Sequence, residues 1–229
     1  MNYLTCLVNV LEFKHMNFVS LDDLPKKIAI FPLTGAVLFP KTQLPLNIFE
    51  PRFVQMLNDT LATPHNLIGM IQPQSGDGQS LKKVGCVGRI TSYNETDDHR
   101  YLITLNGIIR FEIDEELNST TPYRQASVNY ENYMTDLSSE DVPNIDRESL
   151  LKLIKKYLKN KNLLADWDII QQTPTEQLIN YSGVLVPFTP EEKQLLLEAK
   201  TIMGRSRALE ALYQSYTVDE TTDTSTRLH

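Results

Sequence analysis

The sequence is poor in cysteine and glycine and contains no long apolar run. Of its 229 residues, two are cysteine and nine are glycine. Cys6 and Cys86 lie on separate segments, so they form neither a disulfide framework nor a tetrahedral zinc site. A membrane-spanning helix needs about 18 apolar residues in a row, and no such run occurs. Residues 4–11 resemble the apolar part of a signal peptide, but they lack a basic segment before them and a small-residue cleavage site. We therefore expect a cytoplasmic protein with reduced thiols.

Positive charge is also in short supply. The chain has 22 Lys and Arg against 29 Asp and Glu, which gives a formal net charge of −7 and a pI of about 5.2. Phosphate backbones and anionic membrane surfaces attract clustered Lys and Arg, so this balance disfavours nucleic acid and membranes as partners. The hydrophobic content of 41% is that of an ordinary globular protein with one large or two small domains.

Catalytic motifs are missing. Residues 35–42 have the spacing of a phosphate-binding P-loop, but Pro40 replaces its second glycine and has no N–H to offer a phosphate. A strand-like segment follows where a P-loop would begin a helix. The four histidines show no metal-binding spacing, and no G-x-S-x-G motif occurs. The sequence predicts no catalytic residue, no cofactor-binding residue and no metal ligand. A Ser–Lys pair stays open, because its members can lie far apart in a chain.

The first half of the chain has the alternation and turn signals of short β-strands. The predicted strands are residues 28–33, 43–49, 66–72, 84–93, 100–105, 108–113 and 124–130. Asn106–Gly107 separates two of them and is a signal for a tight turn or a bulge. One helix is predicted at residues 51–61, with Pro51 at its first position. Such strands, interrupted by a single helix, indicate a small closed or nearly closed barrel.

From Asp146 the apolar period becomes helical. Leu150, Ile154 and Tyr157 mark the buried face of a first helix, and the lysines opposite them are interpreted as a solvated face. Thr173 and Thr189 are each followed by Pro at the next position and Glu at the third, so each predicts a capping box at a helix start. A last helix is predicted at residues 201–216. Three consecutive leucines at residues 195–197 predict a helix covered on more than one side.

These patterns predict an α+β protein in which a β-barrel precedes a helical bundle. We assign residues 1–24 to a poorly ordered extension, 25–135 to the barrel and 145–216 to the helices. Residues 217–229 are almost without apolar side chains and are assigned to a disordered tail. The extension is either an upstream start before Met16 or a loose arm.

Three blocks of the sequence resemble the substrate-binding domain at the amino terminus of the ATP-dependent protease Lon. They are residues 30–52 (IFPLTGAVLFP, then LPLNIFEPR), residues 84–111 (VGCVGRI, then YLITLNGIIRF) and residues 178–205 (LIN, PFTPEEKQLLLE, then Arg205). Lys41 departs from the family pattern, which often has glycine at that position. The resemblance implies a PUA-like β-barrel followed by a helical bundle, in agreement with the patterns above.

The resemblance also carries an expectation about function. Full Lon has an ATPase module and a Ser–Lys protease module after this domain, and this chain ends where they would begin. We therefore expect a stand-alone, non-catalytic protein- or peptide-binding module without a cofactor, acting in protein quality control or as an adaptor. Its partner would be unfolded or partly unfolded polypeptide or another protein. The alternatives are a PUA-like RNA-binding domain and an unrecognised hydrolase.

Four residues are candidates for contact with a partner. Glu50 and Arg52 lie in the family's strand-to-helix segment, where a structural ion pair or a helix cap is the alternative interpretation. Phe39 lines either an apolar groove or the barrel interior, and Arg110 lies in the family's Arg-Phe pair. We expect the binding surface in or beside the groove between barrel and helices, because pockets are common between subdomains.

Overall fold

The strands come first in the chain and the helices second. The computed structural model describes residues 23–74, 80–98, 100–138 and 145–218. Its elements are β1 (Lys27–Pro32), β2 (Gln43–Ile48), α1 (Pro51–Leu61), β3 (Leu67–Ile71), β4 (Val84–Glu95), β5 (Tyr101–Leu117), β6 (Arg124–Asn129), a 3-10 helix (Glu131–Leu137), α2 (Arg147–Asn160), α3 (Trp167–Gln172), α4 (Thr175–Leu185), α5 (Pro190–Glu198) and α6 (Ile202–Val218). The predicted α+β class is confirmed.

The proposed extension and tail fall almost entirely outside the described residues. At their inner margins, Leu24 is buried and α6 continues to Val218. The division of the chain into 1–24, 25–135, 145–216 and 217–229 stays a prediction.

The six strands form one sheet that closes on itself. Their order is β2-β5-β4-β3-β1-β6, and β6 also pairs with β5. Closure depends on the length of β5, which pairs with β4 along its first part and with β6 along its last part. Because β2 pairs only with the first part of β5, it stays outside the ring as an edge strand. All pairings are antiparallel except that of β1 with β3.

The helix α1 packs against the ring. It begins at Pro51 as predicted and buries Phe53, Met56 and Leu57 on one face. The ring of Phe53 lies 4.4 Å from that of Phe31 on β1, so burial of two aromatic rings attaches the helix to the barrel.

One predicted break in the barrel is wrong. The two strands expected on either side of Asn106–Gly107 are a single strand, β5, and the dipeptide marks a bulge at which the pairing with β4 shifts register. Gly107 is required for another reason: a Cβ built on it would lie 1.9 Å from the carbonyl oxygen of Phe39. Its N–H donates to the Thr42 carbonyl at 2.8 Å, and its carbonyl accepts from the Lys41 N–H at 2.9 Å. The turn before β2 therefore lies directly on β5.

The two predicted capping boxes have different outcomes. The box at Thr189 is confirmed, because Thr189 accepts from the Glu192 N–H while the Glu192 carboxylate accepts from the Thr189 N–H. The box at Thr173 is wrong. Its hydroxyl donates instead to the carbonyl of Ile169, one turn back in α3, and Pro174 takes the N-cap position of α4.

The apolar core runs without interruption from the barrel into the helices. It joins Phe39 and Leu38 in the barrel to Leu196 and Leu209 in α5 and α6. On the far side of the helices, four aromatic rings (Tyr157, Phe188, Tyr213 and Tyr216) pack together with centroids between 5.2 and 6.4 Å apart. Leu196 and Leu197 are buried as the prediction for α5 required, whereas Leu195 is exposed.

Candidate functional site

The junction between β2 and α1 carries two of the four predicted contact residues. Glu50 is the N-cap residue of α1, but its side chain makes no cap hydrogen bond. Its carboxylate instead accepts from Arg52 Nε at 2.9 Å and from a second guanidinium nitrogen at 2.8 Å. The guanidinium lies 4.4 Å from the centroid of the Phe53 ring. Both charged side chains are about half exposed, so the junction presents an ion pair to solvent rather than a capped helix end.

Exposed apolar side chains lie beside this junction. Asn47 on β2 and Asn94 on β4 are both aligned with Leu102 on β5, and all three side chains are exposed. Phe49 follows two residues after Asn47, just beyond the end of β2. The guanidinium of Arg100 lies 5.6 Å from the centroid of the Phe49 ring. We call these five residues the distal sheet face. Phe49 is 60% exposed and Leu102 is 43% exposed.

A third exposed apolar residue lies on the other side of the same strands. Tyr93 is aligned with the buried Ile103, yet it is 60% exposed. The cause is the length of β4, which extends beyond the part that pairs with β3 and so loses one of its two neighbours. This end of the sheet is therefore accessible to solvent from both sides.

The backbone edge of β2 is closed to an added strand. The N–H of Gln43 points away from β5 and donates to the Tyr181 hydroxyl at 3.2 Å. Pro45, two residues further along the same edge, has no N–H to donate. Of the three outward positions, only Asn47 has an N–H that could donate to an added strand, so we expect contact with another chain to come mainly from side chains.

Phe39 and Arg110, the other two predicted contact residues, are buried. Phe39 packs against α4, where a Cβ built on Gly183 would lie 2.5 Å from its ring, and the Arg205 guanidinium lies 5.2 Å from its centroid. Arg110 is 1% exposed. Neither side chain can contact a partner unless the helices leave the barrel. From the sequence alone, both residues are candidates for contact with a partner. The structure corrects their placement, because the helices cover this side of the barrel.

Arg110 instead holds the helices to the barrel. Its Nε and one terminal nitrogen each lie 2.8 Å from a different oxygen of Asp136. The guanidinium carbon lies 4.3 Å from the centroid of the Tyr133 ring. The other donors reach the carbonyls of Leu197 (3.0 Å), Ala199 and Lys200 (3.2 Å). The last carbonyls of a helix lack internal partners, so the guanidinium satisfies the end of α5.

A second buried network adjoins the contacts of Arg110, where the helices meet the barrel. We call this contact the seam; its polar pairs are Arg110 with Asp136, Asn180 with Arg205, and Gln72 with Gln194. Asn180 donates to the carbonyl of Pro40 at 3.0 Å and accepts from Arg205. Burial lowers the pKa of Arg205 to about 10, and the nearby positive charge of Arg110 adds to this effect. Gln72 and Gln194 bond to each other and to the backbone on both sides. These contacts fill the seam and argue against a binding groove between barrel and helices.

Two groups with the potential for catalysis are occupied or buried. Lys41, the lysine of the P-loop-like spacing, lies 2.8 Å from Glu176 and donates to the Ser138 carbonyl. Cys86 is completely buried, which raises the pKa of its thiol and keeps it protonated. Among the residues that the structure describes, no three His, Cys, Asp or Glu side chains group into a metal site. In the same residues, no helix is long and apolar enough to cross a membrane.

Two solved structures share this succession of sheet and helices. The N-terminal domain of a Mycobacterium avium complex Lon protease aligns with a TM-score of 0.63 at 15% identity, covering 82% of this chain and 98% of that one. A Lon N-terminal domain protein from Xanthomonas campestris aligns with a TM-score of 0.58 at 18% identity, covering 83% and 98%. At these identities the likeness concerns the fold, which is that of a Lon N-terminal domain.

The family model of the ATP-dependent protease La (LON) substrate-binding domain matches residues 27–213. The chain therefore belongs to this family, as the sequence blocks had indicated. Among curated relatives, a Lon protease of Flavobacterium johnsoniae is 28% identical over 202 residues, which cover 83% of this chain and 24% of that protein. Lon protease 2 of Sorangium cellulosum is 32% identical over 106 residues, 44% of this chain and 13% of that protein. The chain thus spans about a quarter or less of the length of these relatives.

Proposed function

We propose that this chain is a non-catalytic polypeptide-binding module that holds partly unfolded protein on the distal sheet face. The observation that carries the proposal is the exposure of two large apolar side chains at one end of the sheet: Leu102, which is aligned with Asn47, and Phe49, which follows Asn47 by two residues. Exposed apolar side chains that cluster, rather than occur singly, mark interaction surfaces. The family name describes a substrate-binding domain, and polypeptide is the substrate class of a protease.

Charge pairs border the apolar row and suit it to polypeptide. Glu50 with Arg52 directly follows Phe49 in the chain, and Asp98 pairs at 2.8 Å with Arg100, the charged member of the distal sheet face. Exposed ion pairs contribute about 0–1 kcal/mol, so each can exchange its internal partner for a charge on a bound chain at little cost. Glu50 and Arg52 keep their predicted role as contact residues, now as the polar rim of an apolar centre.

The absence of catalysis is supported by the state of the reactive groups. The Lys41 ammonium is held by Glu176, and the Cys86 thiol is buried and protonated. We further propose that the module works in the cytoplasm as an adaptor or in protein quality control. Purified protein should then hydrolyse neither ATP nor casein above background.

The experiment is a binding titration with a permanently unfolded protein, such as reduced and carboxymethylated α-lactalbumin labelled with a fluorophore. We expect saturable binding to the full chain. The double variant Phe49→Ser/Leu102→Ser should weaken binding about tenfold, which corresponds to about 1.4 kcal/mol of lost apolar contact.

The matched control is Met134→Ser/Leu195→Ser, which removes two apolar side chains that are exposed to a similar extent elsewhere. This control should bind like the unmodified chain, and thermal melts should confirm that both variants fold. If both double variants weaken binding equally, or if the unmodified chain does not bind unfolded protein, the distal sheet face is not a polypeptide site. A labelled RNA of mixed sequence serves as a further arm, and we expect no binding to it.

A further inference from the structure

The exposed side of α2 carries a stripe of unpaired positive charge. Its members are Lys152, Lys155, Lys156 and Lys159, which are all exposed. Each lies three residues from one of the others and four residues from another. We call them the lysine stripe. Residues at this spacing share one face of a helix, and the opposite face of α2 is buried.

An apolar tip adjoins this stripe. After α2, Asn162 adopts φ of 51° and the N–H of Leu163 donates to the carbonyl of Leu158, which reverses the chain at the helix end. The reversal leaves Leu163 and Leu164 exposed, and Leu164 is 85% exposed, more than any other large apolar side chain in the described residues. The chain then returns along α2, so that the Trp167 ring lies 5.1 Å from the Lys155 ammonium.

The lysine stripe has no close ionic partner in the part of the chain that the structure describes. None of its four lysines forms an ion pair with a carboxylate within the residues that the structure describes, whereas Lys41, Lys83 and Arg124 do. Asp146 caps α2, where its hydrogen bonds to Ser149 and, to a smaller extent, the charge of Lys152 lower its pKa, and Asp166 caps α3. Glu148, four residues before Lys152, begins the same face and offsets one of the four charges.

We infer that the lysine stripe, together with Leu163, Leu164 and Trp167, docks a short acidic polypeptide segment that carries an apolar side chain. The stripe is a basic surface on a chain of net charge −7, so charge complementarity selects an acidic partner. The leucines and Trp167 beside it provide the apolar half of the contact. From Lys152 to Lys159 the stripe is about 10 Å long, the length of about three extended residues.

A polypeptide fits this surface better than an anionic bilayer or RNA. A bilayer or a long nucleic acid would face much of the acidic surface as well as the stripe, and like charges repel. A short segment contacts the stripe alone. The site lies on α2 and not on the distal sheet face, so it goes beyond the proposed function, and either proposal can fail without the other.

Trp167 provides a local probe, because it is the only tryptophan of the chain. The experiment titrates the full chain with a synthetic peptide of repeated Glu-Glu-Leu triplets and follows tryptophan emission. We expect a saturable emission change and a dissociation constant that rises steeply with salt. A peptide of the same charge with serine in place of leucine should bind several-fold more weakly. Equal binding of the two peptides, or no emission change, overturns the proposal.

Two pairs of matched variants test the residues. Lys156→Gln/Lys159→Gln leaves Lys155 beside the probe and should weaken binding about fivefold, while Lys26→Gln/Lys27→Gln, which removes two exposed lysines of the barrel, should not. Equal effects of the two pairs mean general charge attraction and overturn the stripe as a site.

Leu164→Ser should weaken binding several-fold, whereas Leu195→Ser, at another exposed leucine, should have no effect. If Leu164→Ser does not weaken peptide binding, the apolar part of the proposed contact is wrong.

The same assay tests other possible ligands of the lysine stripe. One arm adds vesicles of phosphatidylserine with phosphatidylcholine, and another adds a single-stranded RNA. If either changes the tryptophan emission as strongly as the peptide does, the choice of an acidic polypeptide is overturned. The carboxyl-terminal segment of the chain itself contains Asp219, Glu220 and Asp223. If Asp219→Asn/Glu220→Gln/Asp223→Asn alone reproduces the emission change, the occupant is the chain's own segment and not a partner.

Discussion

Two arginines of this protein make nearly the same local contacts in opposite surroundings. In the seam, Arg110 Nε lies 2.8 Å from the Asp136 carboxylate and its guanidinium 4.3 Å from the Tyr133 ring centroid. Beside the distal sheet face, Arg52 Nε lies 2.9 Å from Glu50 and its guanidinium 4.4 Å from the Phe53 ring centroid. The first pair is buried and the second is about half exposed.

The difference in burial separates the structural role of Arg110 from the binding role that we propose for Arg52. A buried guanidinium that lost its carboxylate would stay unpaired away from water, so Arg110 is committed to Asp136 and the end of α5. An exposed guanidinium is solvated with or without its partner, so Arg52 can bind another group. Local contacts are therefore a poor guide to function here, and solvent access decides it.

The largest expected effect is that of removing Arg110. Arg110→Ala leaves the Asp136 carboxylate buried without its cation and three carbonyls at the end of α5 without a donor. We expect the free energy of unfolding to fall by about 3–5 kcal/mol, measured by urea denaturation. Arg52→Ala should change it by about 0.5 kcal/mol or less. Similar losses from the two variants would mean that burial does not separate the two pairs.

The next effect concerns the contact that brings β5 to the seam. A Cβ at position 107 would lie 1.9 Å from the Phe39 carbonyl oxygen, so Gly107→Ala must move the backbone on one side. We expect a loss of about 2–3 kcal/mol in the same measurement. The control is Gly204→Ala in α6, where the nearest atom is the Thr201 hydroxyl at 3.3 Å and alanine favours the helix by about 1 kcal/mol. A mild effect at Gly107 would mean that the turn before β2 does not press on β5.

Sequence patterns predicted those parts of the fold that local chemistry determines. The proline at the first position of α1 and the reciprocal bonds of Thr189 and Glu192 need only a few neighbouring residues, and both were confirmed. Thr173 has the same local signal as Thr189. It failed because the short helix α3 ends at Gln172 and offers the carbonyl of Ile169 to the same hydroxyl.

The site was less predictable because burial arises from distant residues. Nothing near Arg110 in the sequence indicates that Asp136 and the end of α5 enclose it, since these partners lie 26 and about 90 residues away. Asn106–Gly107 gave a correct signal for a bulge, but the need for glycine comes from Phe39 on another segment. Phe49 could have been suspected, since it breaks the alternation of β2 just before Pro51.

Lys41 is an intermediate case that sharpens the comparison. It pairs with Glu176 between barrel and helices, and both side chains are about a quarter exposed. Its backbone has φ of 59°, a conformation that costs a side chain about 1 kcal/mol and that glycine adopts freely. This explains why glycine suits the family pattern at this position. The chain keeps the strained backbone and gains an ion pair.

Paired substitutions separate the cost of the strained backbone from the contribution of the ion pair. Lys41→Ala removes the ammonium and keeps the strain, so it should lower the free energy of unfolding by about 1 kcal/mol. Lys41→Gly removes both, and we expect it to be about 1 kcal/mol more stable than Lys41→Ala in urea denaturation. With Glu176→Gln in place, Lys41→Gly should match or exceed its parent. Equal stability of the alanine and glycine variants would contradict a strained backbone at this position.

The smallest effect is a pH dependence that arises outside both arginine pairs. In the turn before β3, His65 Nδ1 lies 3.2 Å from the Leu67 N–H and 3.1 Å from the Thr63 hydroxyl, and it accepts from Leu67 in the tautomer that leaves this nitrogen without a proton. Burial lowers the pKa of His65 below its ordinary 6.5, and the positive charge of Arg89 lowers it further. The unfolded chain therefore binds a proton more readily than the folded one, and stability is lost as pH falls through 6.5.

Asparagine can replace this acceptor without titrating. His65→Asn offers an amide oxygen to the Leu67 N–H and should flatten the decline in stability between pH 7 and about 5, measured as Tm against pH. The acidic groups whose pKa values are lowered in the folded chain, such as Glu112 and Glu116, lose their contribution only at lower pH, so they do not obscure this window. An unchanged slope in His65→Asn would assign the decline to another group.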